Sequence, residues 1–338
     1  MKHPIIVVGG SAGSIGVLSD ILAQLPRTIG AAVFVVVHLQ RHVPSKLTAV
    51  LSRVSVLPVC EATDQQKIQP GQVYVAPSDY HLFLERNNML LVRGPLENRM
   101  RPAIDVLFRS AAVAHRDRVI GVILSGLLDD GVAGLQAIKR CGGRTMVQTP
   151  DDAQFSSMPE SAIAAMDVDY IVPVAAMADR LQNCVAEPPE TETSVPKDIA
   201  LEAQMVKRVM FNADEMAQMG EPSYQSCPDC RGPLWQMKDS DTLRYRCHVG
   251  HSFTAQALVN AQDETAEEAL WVALRTLEER ARVLERISRD TVQSGAHNLA
   301  QRYQERAEQA LKHATSIRRL IYASGSEEDT AAENIIET

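Results

Sequence analysis

Short β-branched runs alternate with stretches of helical periodicity over residues 1–186, and this alternation restricts the fold more than any other feature of the chain. The runs Ile5–Val8, Ala32–Val37, Gln72–Ala76, Val119–Leu124, Thr145–Gln148 and Tyr170–Val172 read as strands. The segments between them, Ser14–Leu25, Pro44–Val54, Ala103–His115, Val132–Arg140, Pro159–Ala165 and Ala175–Val185, read as helices. Several of the strands are apolar at successive positions, the pattern of a sheet covered on both faces. The fold class is therefore α/β: a doubly wound, mostly parallel sheet. His81–Glu85 and Met89–Val92 flank the turn-like Arg86-Asn87-Asn88 and predict an inserted antiparallel hairpin.

Ligands of such sheets collect at the carboxyl ends of the strands. The first strand runs into Gly9-Gly10-Ser11-Ala12-Gly13, whose paired glycines suit a tight turn. Ser11 then sits before a helix, where the N–H groups of Ala12 and Gly13 can face a developing negative charge. The same residues also suit a helix cap or, as Gly10-x-x-Gly13-x-x-Gly16, a dinucleotide-binding turn. The second strand ends at His38, a core histidine or a base. Another ends in Ser125-Gly126-Leu127-Leu128-Asp129-Asp130-Gly131, where a carboxylate can cap a helix or orient a histidine. Adjacent side chains diverge, so only one of the two aspartates faces that histidine. Ser, His and Asp at one sheet edge form the set a serine hydrolase needs. Their order differs from the Ser…Asp…His of α/β-hydrolases, and the turn is not Gly-x-Ser-x-Gly. A dinucleotide-binding oxidoreductase would need an acidic ribose partner where His38 stands. A non-catalytic signalling scaffold on the same fold is the other alternative.

The net charge of −8 argues against a nucleic-acid partner. The longest apolar run, Ala31–Val37, is too short to span a bilayer, and the N-terminus lacks a signal-peptide pattern, so a cytoplasmic protein without membrane insertion is expected. Cys60, Cys141 and Cys184 are scattered, whereas Cys227, Cys230 and Cys247 cluster with His248 and His251.

Several motifs resemble the catalytic domain of CheB-type protein-glutamate methylesterases of bacterial chemotaxis, over about residues 1–186. They are Gly-Gly-Ser-Ala-Gly at 9–13, Val-His-Leu-Gln at 37–40, Tyr-Val-Ala-Pro-Ser-Asp-Tyr-His at 74–81, Arg-Pro-Ala-Ile-Asp-Val-Leu-Phe at 101–108, Leu-Ser-Gly-Leu-Leu-Asp-Asp-Gly at 124–131 and Ser-Met-Pro-Glu-Ser-Ala-Ile at 157–163. The resemblance implies Ser11 as nucleophile, His38 as general base and Asp130, directly before Gly131, as orienting carboxylate. It implies hydrolysis of glutamate γ-methyl esters on a chemoreceptor or related protein, deamidation of glutamine at the same site, and no cofactor for catalysis. His81, Arg101 and Gln148 fall at family positions along this edge and are candidates for the site wall or for loop-fixing hydrogen bonds. Two positions depart from the family: Ala12 replaces a usual threonine, and Leu127-Leu128 replaces Met-Gly. Ser11 leaves no room before it for the receiver domain of the familiar arrangement, so the phosphorylation gate is expected to be absent from this chain or supplied by a partner.

Residues 187–221 read as an acidic, proline-bearing linker and a short helix over Ile199–Met219. Residues 222–255 form a zinc-knuckle-like segment: Cys227-Pro-Asp-Cys230, a spacer of sixteen residues, then Cys247-His248-Val249-Gly250-His251. A structural Zn²⁺ is expected on Cys227, Cys230, Cys247 and one histidine. His251 is preferred because Val-Gly permits a turn, with His248 its rival. Such a segment also follows methylesterase domains in some members of the family it resembles. Residues 256–323 carry apolar positions at helical spacing on either side of Ser294-Gly295, which predicts a helical hairpin or coiled coil able to bind a signalling regulator. Residues 324–338 are acidic and expected to be disordered.

Overall fold

The computed structural model describes residues 3–38, 45–187, 193–208, 211–238 and 242–336, with backbone alone for 324–336. The expected 39–40 portion of the Val-His-Leu-Gln motif and much of the acidic linker lie outside the described residues. The chain divides into two units, Met1–Leu258 and Val259–Thr338.

The first unit is built on a seven-stranded parallel sheet. Its strands are β1 (Ile5–Gly10), β2 (Ala32–Val37), β3 (Val59–Glu61), β4 (Val73–Val75), β7 (Val119–Ile123), β8 (Arg144–Gln148) and β9 (Tyr170–Val172), in the spatial order β3-β4-β2-β1-β7-β8-β9. β5 (His81–Leu84) and β6 (Met89–Val92) pair antiparallel as the expected hairpin. The edge strand β3 is absent from the sequence reading, because three half-buried or exposed residues carry almost no periodic signal.

Strand alternation sorts the core into two layers. Ile5 and Val7 of β1 and Phe34 and Val36 of β2 join one cluster with α3 (Ile104–His115), α4 (Val132–Arg140) and α5 (Ser157–Ala165). Ile6, Val8, Val33 and Val35 join the other with α1 (Ser14–Gln24), α2 (Leu47–Val54) and α6 (Val174–Ala186). Gly9 lies inside β1 rather than in the turn: a Cβ there would stand 2.3 Å from Ile104 Cγ2, so glycine lets α3 pack directly on the strand. The chain leaves β1 toward β2 on one side and returns as β7 on the other. The carboxyl ends of β1 and β7 therefore border a topological switch point, where open α/β sheets place their sites.

The single helix expected over Ile199–Met219 is two, α7 (Lys197–Met205) and α8 (Ala213–Met219). A reciprocal capping box opens α8. Asn212 Oδ1 accepts the Glu215 N–H at 2.9 Å and the Glu215 carboxylate accepts the Asn212 N–H at 3.2 Å, satisfying two donors a helix start leaves orphaned. A four-stranded antiparallel sheet follows: β10 (Gly220–Ser226), β11 (Pro233–Met237), β12 (Arg244–Cys247) and β13 (Ser252–Thr254). Gly220 and Pro222 thus begin a strand as well as ending a helix, and β10 is an edge strand, where proline is tolerated.

α9 (Ala255–Gln293), which enters the second unit at Val259, and α10 (His297–Ile336) fold back on each other there across Gly295. Leu274, Ala314 and Ile321 form their seam, and Arg318 pairs with Glu278 across it. The backbone of α10 continues helical past Gly325, where the sequence reading ends the ordered chain. Among the described residues no helix is long and apolar enough to cross a membrane.

Candidate active site

Ser11 follows β1, His38 follows β2 and Asp130 lies after β7, so three parallel strands deliver them to one edge. The turn at Ser11 is held from below: Ser11 N–H donates to Ser125 O at 3.0 Å, and Ser14 N–H and Oγ–H donate to Ser11 O at 3.2 and 2.6 Å. Gly13 closes the turn at φ 75°, a left-handed conformation that disfavours side chains. Ser11 Oγ, Ala12 N–H and Gly13 N–H have no hydrogen-bond partner among the described residues. The hydroxyl is free to react and the two amides are free to donate.

His38 Nε2 stands 2.7 Å from Asp130 Oδ2, both side chains nearly buried. Asp130 is also anchored at the amino end of α3. Its Oδ2 accepts the Ile104 N–H at 2.7 Å, and its Oδ1 accepts the Asp105 N–H at 3.3 Å and Asn98 Nδ2–H at 3.0 Å. Burial opposes ionisation of Asp130, but His38 and these donors overcome it and hold its carboxyl below the usual range. Burial, with the Asp130 charge beside it, pushes the neighbouring Asp105 up to about 8. Two neighbouring buried carboxylates are thus pushed in opposite directions, Asp130 toward its charged form and Asp105 toward its neutral one.

Of the other edge positions, Gln148 is fully buried, its Oε1 accepting the Ser125 N–H at 2.8 Å and its Nε2–H donating to Asp152 O at 2.9 Å. Arg101 grips Asp79 and donates to Gly94 O at 2.6 Å. His81 is buried, with Nε2 2.8 Å from Pro95 O and Nδ1 accepting the Ala103 N–H at 3.2 Å. All three make loop-fixing hydrogen bonds. Sequence reasoning did not find two further residues. Ser125 Oγ accepts the Phe155 N–H at 3.0 Å and donates to Ala12 O at 2.9 Å, tying the β7 end to the Ser11 turn. Asn98 approaches Asp130 from a loop distant in sequence, and no local signal marks it. Leu128, at a family glycine position, adopts φ 65°.

The cysteine segment is equally specific. The ligand atoms of Cys227, Cys230, Cys247 and His251 all lie within 4.8 Å of one another. His251 Nδ1 is 3.7 Å from Cys227 Sγ and 3.5 Å from Cys247 Sγ, and Cys230 Sγ is 3.7 Å from Cys247 Sγ. A tetrahedral zinc site with metal–ligand bonds of about 2.0–2.3 Å has edges of roughly 3.5–3.8 Å, so the set fits. His248 does not join it; its ring packs over Gly232.

A family model described as CheB methylesterase matches residues 6–181, just over half of the chain. The chain belongs to the CheB methylesterase family. A Leptospira interrogans protein, provisionally named a protein-glutamate methylesterase/protein-glutamine glutaminase, is 38% identical over 180 residues, covering 53% of this chain and 93% of its own length. A Xanthomonas euvesicatoria protein-glutamate methylesterase/protein-glutamine glutaminase is 36% identical over 182 residues, 52% of this chain but only 50% of its own. The crystal structure of the Thermotoga maritima CheB methylesterase catalytic domain superposes with a TM-score of 0.53 at 31% identity, covering 55% of this chain and all of that one. The CheB methylesterase match ends at residue 181, before the cysteine segment and the helical hairpin.

Proposed function

We propose that this chain hydrolyses glutamate γ-methyl esters on a methylated chemoreceptor or receptor-like protein, and deamidates glutamine at the same site. Ser11 is the nucleophile, His38 the general base and Asp130 the orienting carboxylate. The observation that carries this reading is the 2.7 Å His38–Asp130 hydrogen bond at the edge where Ser11 emerges. Because Asp130 accepts from Nε2, the lone pair of His38 lies on Nδ1, the atom that must approach Ser11 Oγ for reaction. Nδ1 takes the Ser11 proton as Oγ attacks the ester carbonyl, and Asp130 stabilises the imidazolium. The free N–H groups of Ala12 and Gly13 donate to the oxyanion, where one such donor is worth about 3 kcal/mol. The imidazolium returns its proton to the departing methoxide, releasing methanol. Water, deprotonated by His38, then cleaves the glutamyl-enzyme to glutamate and free Ser11. With glutamine the leaving group is ammonia. The absent threonine hydroxyl at Ala12 leaves these backbone donors in place.

Cys227, Cys230, Cys247 and His251 hold a structural Zn²⁺ in this reading; three thiolates and an imidazole close the coordination shell and keep the module folded. The hairpin exposes Trp271, Val272, Leu320 and Tyr322, the surface at which a signalling regulator docks in the same reading. The test of the chemistry is methanol release from a methyl-esterified receptor fragment. Wild type releases methanol, and Ser11→Ala lowers the rate by roughly 10³-fold or more while remaining folded. Release unchanged in Ser11→Ala, or none from folded wild type, would overturn the reading.

A further inference from the structure

The cysteine-bearing sheet reaches the catalytic carboxylate through one side chain. Asn98 is buried and held at φ 49°. Its N–H donates to Ser252 O at 2.7 Å and its Oδ1 accepts the Thr254 N–H at 3.0 Å, so β13 grips it twice. Its amide then donates to Asp130 Oδ1 at 3.0 Å and to Asp105 Oδ2 at 3.2 Å. Both N–H donors and the carbonyl oxygen of the side chain are engaged, which fixes its orientation. A second link runs alongside: Thr254 Oγ–H donates to Asp129 Oδ1 at 2.7 Å, while the same oxygen accepts the Ala257 N–H at 3.1 Å. Both aspartates of the catalytic loop are thus held from β13, which begins one residue after His251.

The preceding residue makes this attachment rigid. Glu97 is buried between Arg109 of α3, at 2.7 Å, and Arg246 of β12, at 3.0 Å. Glu202 of α7 receives Arg244 at 2.7 Å and Arg246 at 2.8 Å. Arg109 Nη1 lies 3.3 Å from Glu202 Oε1 without hydrogen-bond alignment. This cluster joins the helix that supports Asp130 to the strand that carries Cys247, so neither side can shift alone.

We infer that Asn98 and Thr254 are positioning residues of the triad, and that through them the Cys/His module holds the Asp130 carboxylate in working geometry. Asn98 occupies Oδ1 of Asp130, which leaves Oδ2 directed at His38. Without Asn98, Oδ1 of that carboxylate keeps only the long 3.3 Å Asp105 N–H contact, so the carboxylate is held mainly at Oδ2 by Ile104 N–H and its alignment with the imidazolium loosens. The inference rests on the proposed esterase reading.

The experiment uses the full-length, metal-loaded protein with Asn98→Ala, Thr254→Val and the double variant. Outer partners of this kind typically change rates by about 10–100-fold, so Asn98→Ala should lower kcat by that factor with KM nearly unchanged. The acidic limb of the kcat/KM profile should rise, because Asp130 binds a proton more readily without its donor. Thr254→Val should act in the same direction by a smaller factor, and the double variant should fall short of the product of the two. Unchanged kcat in Asn98→Ala, or a strictly multiplicative double variant, overturns the inference. A second readout needs no turnover: NMR titration of the His38 ring nitrogens in a Ser11→Ala background. Removing Asn98 should move its midpoint by roughly half a pH unit or more. A midpoint left in place overturns the coupling. Absence of ester hydrolysis in wild type would defeat the esterase reading without touching this titration.

Discussion

The sheet edge that bears Ser11, His38 and Asp130 and the small sheet that bears the cysteines sit in one unit of the chain but are held by opposite means. The parallel sheet stands between two layers of buried aliphatic side chains, from Ile5 and Ile6 outward through both helix sets. The antiparallel sheet shares a small cluster of Met205, Phe211, Met216, Met219, Trp235 and Met237. It relies instead on four ligand atoms brought together and on the buried charges of Glu97, Glu202, Arg109, Arg244 and Arg246. Apolar packing degrades gradually as groups are removed. A charge cluster or a metal shell fails when one member is lost, because the remaining members are left buried and unpaired.

Metal removal is the largest test of this contrast. Structural zinc binding carries roughly 10 kcal/mol or more in small modules, so stripping it should unfold the antiparallel sheet and leave the parallel sheet folded. Elemental analysis should find one zinc per chain, and chelation should render Cys227, Cys230 and Cys247 reactive to a thiol reagent. A preparation that binds no zinc, or one whose thiols react equally before and after chelation, would break the comparison. Next in size is Glu97→Ala, which leaves Arg109, Arg244 and Arg246 sharing the one carboxylate of Glu202 in the interior. The loss should be roughly 3–5 kcal/mol in urea denaturation, whereas a loss below about 1 kcal/mol would show that the cluster adds little. The smallest effect is expected at Leu128, whose left-handed φ costs a side-chain-bearing residue about 1–2 kcal/mol. Leu128→Gly removes that cost but adds chain entropy to the unfolded state, for a net gain of about 1 kcal/mol or less. A destabilised variant would mean that Leu128 packing outweighs the strain.

The parallel sheet was legible in the sequence because a buried strand announces itself locally. Ala32–Val37 and Val132–Arg140 stand at the residues read from periodicity alone. The cysteine spacing was legible for a similar reason, since a zinc knuckle takes its ligands in closely spaced pairs. The short edge strand β3 and the split between α7 and α8 were not read. The first lacks a pattern; the second is signalled by Asn212-x-x-Glu215, a capping box that helical periodicity on both sides masked. His81, Arg101 and Gln148 lie along the expected edge, yet their side chains fix loops, a distinction that depends on which backbone groups stand nearby.

By itself the sequence determined the layered α/β core, the strand ends carrying Ser11, His38 and Asp130, and the set of thiols, because each depends on residue type and local spacing. Only the tertiary structure decided that His251, not His248, faces those thiols, and that Asn98 joins Thr254 to Asp130 across 156 and 32 residues of chain. Hydrogen bonds between residues so far apart leave no periodic trace. They exist because two sheets with separate sequence signals pack around one buried cluster of charge.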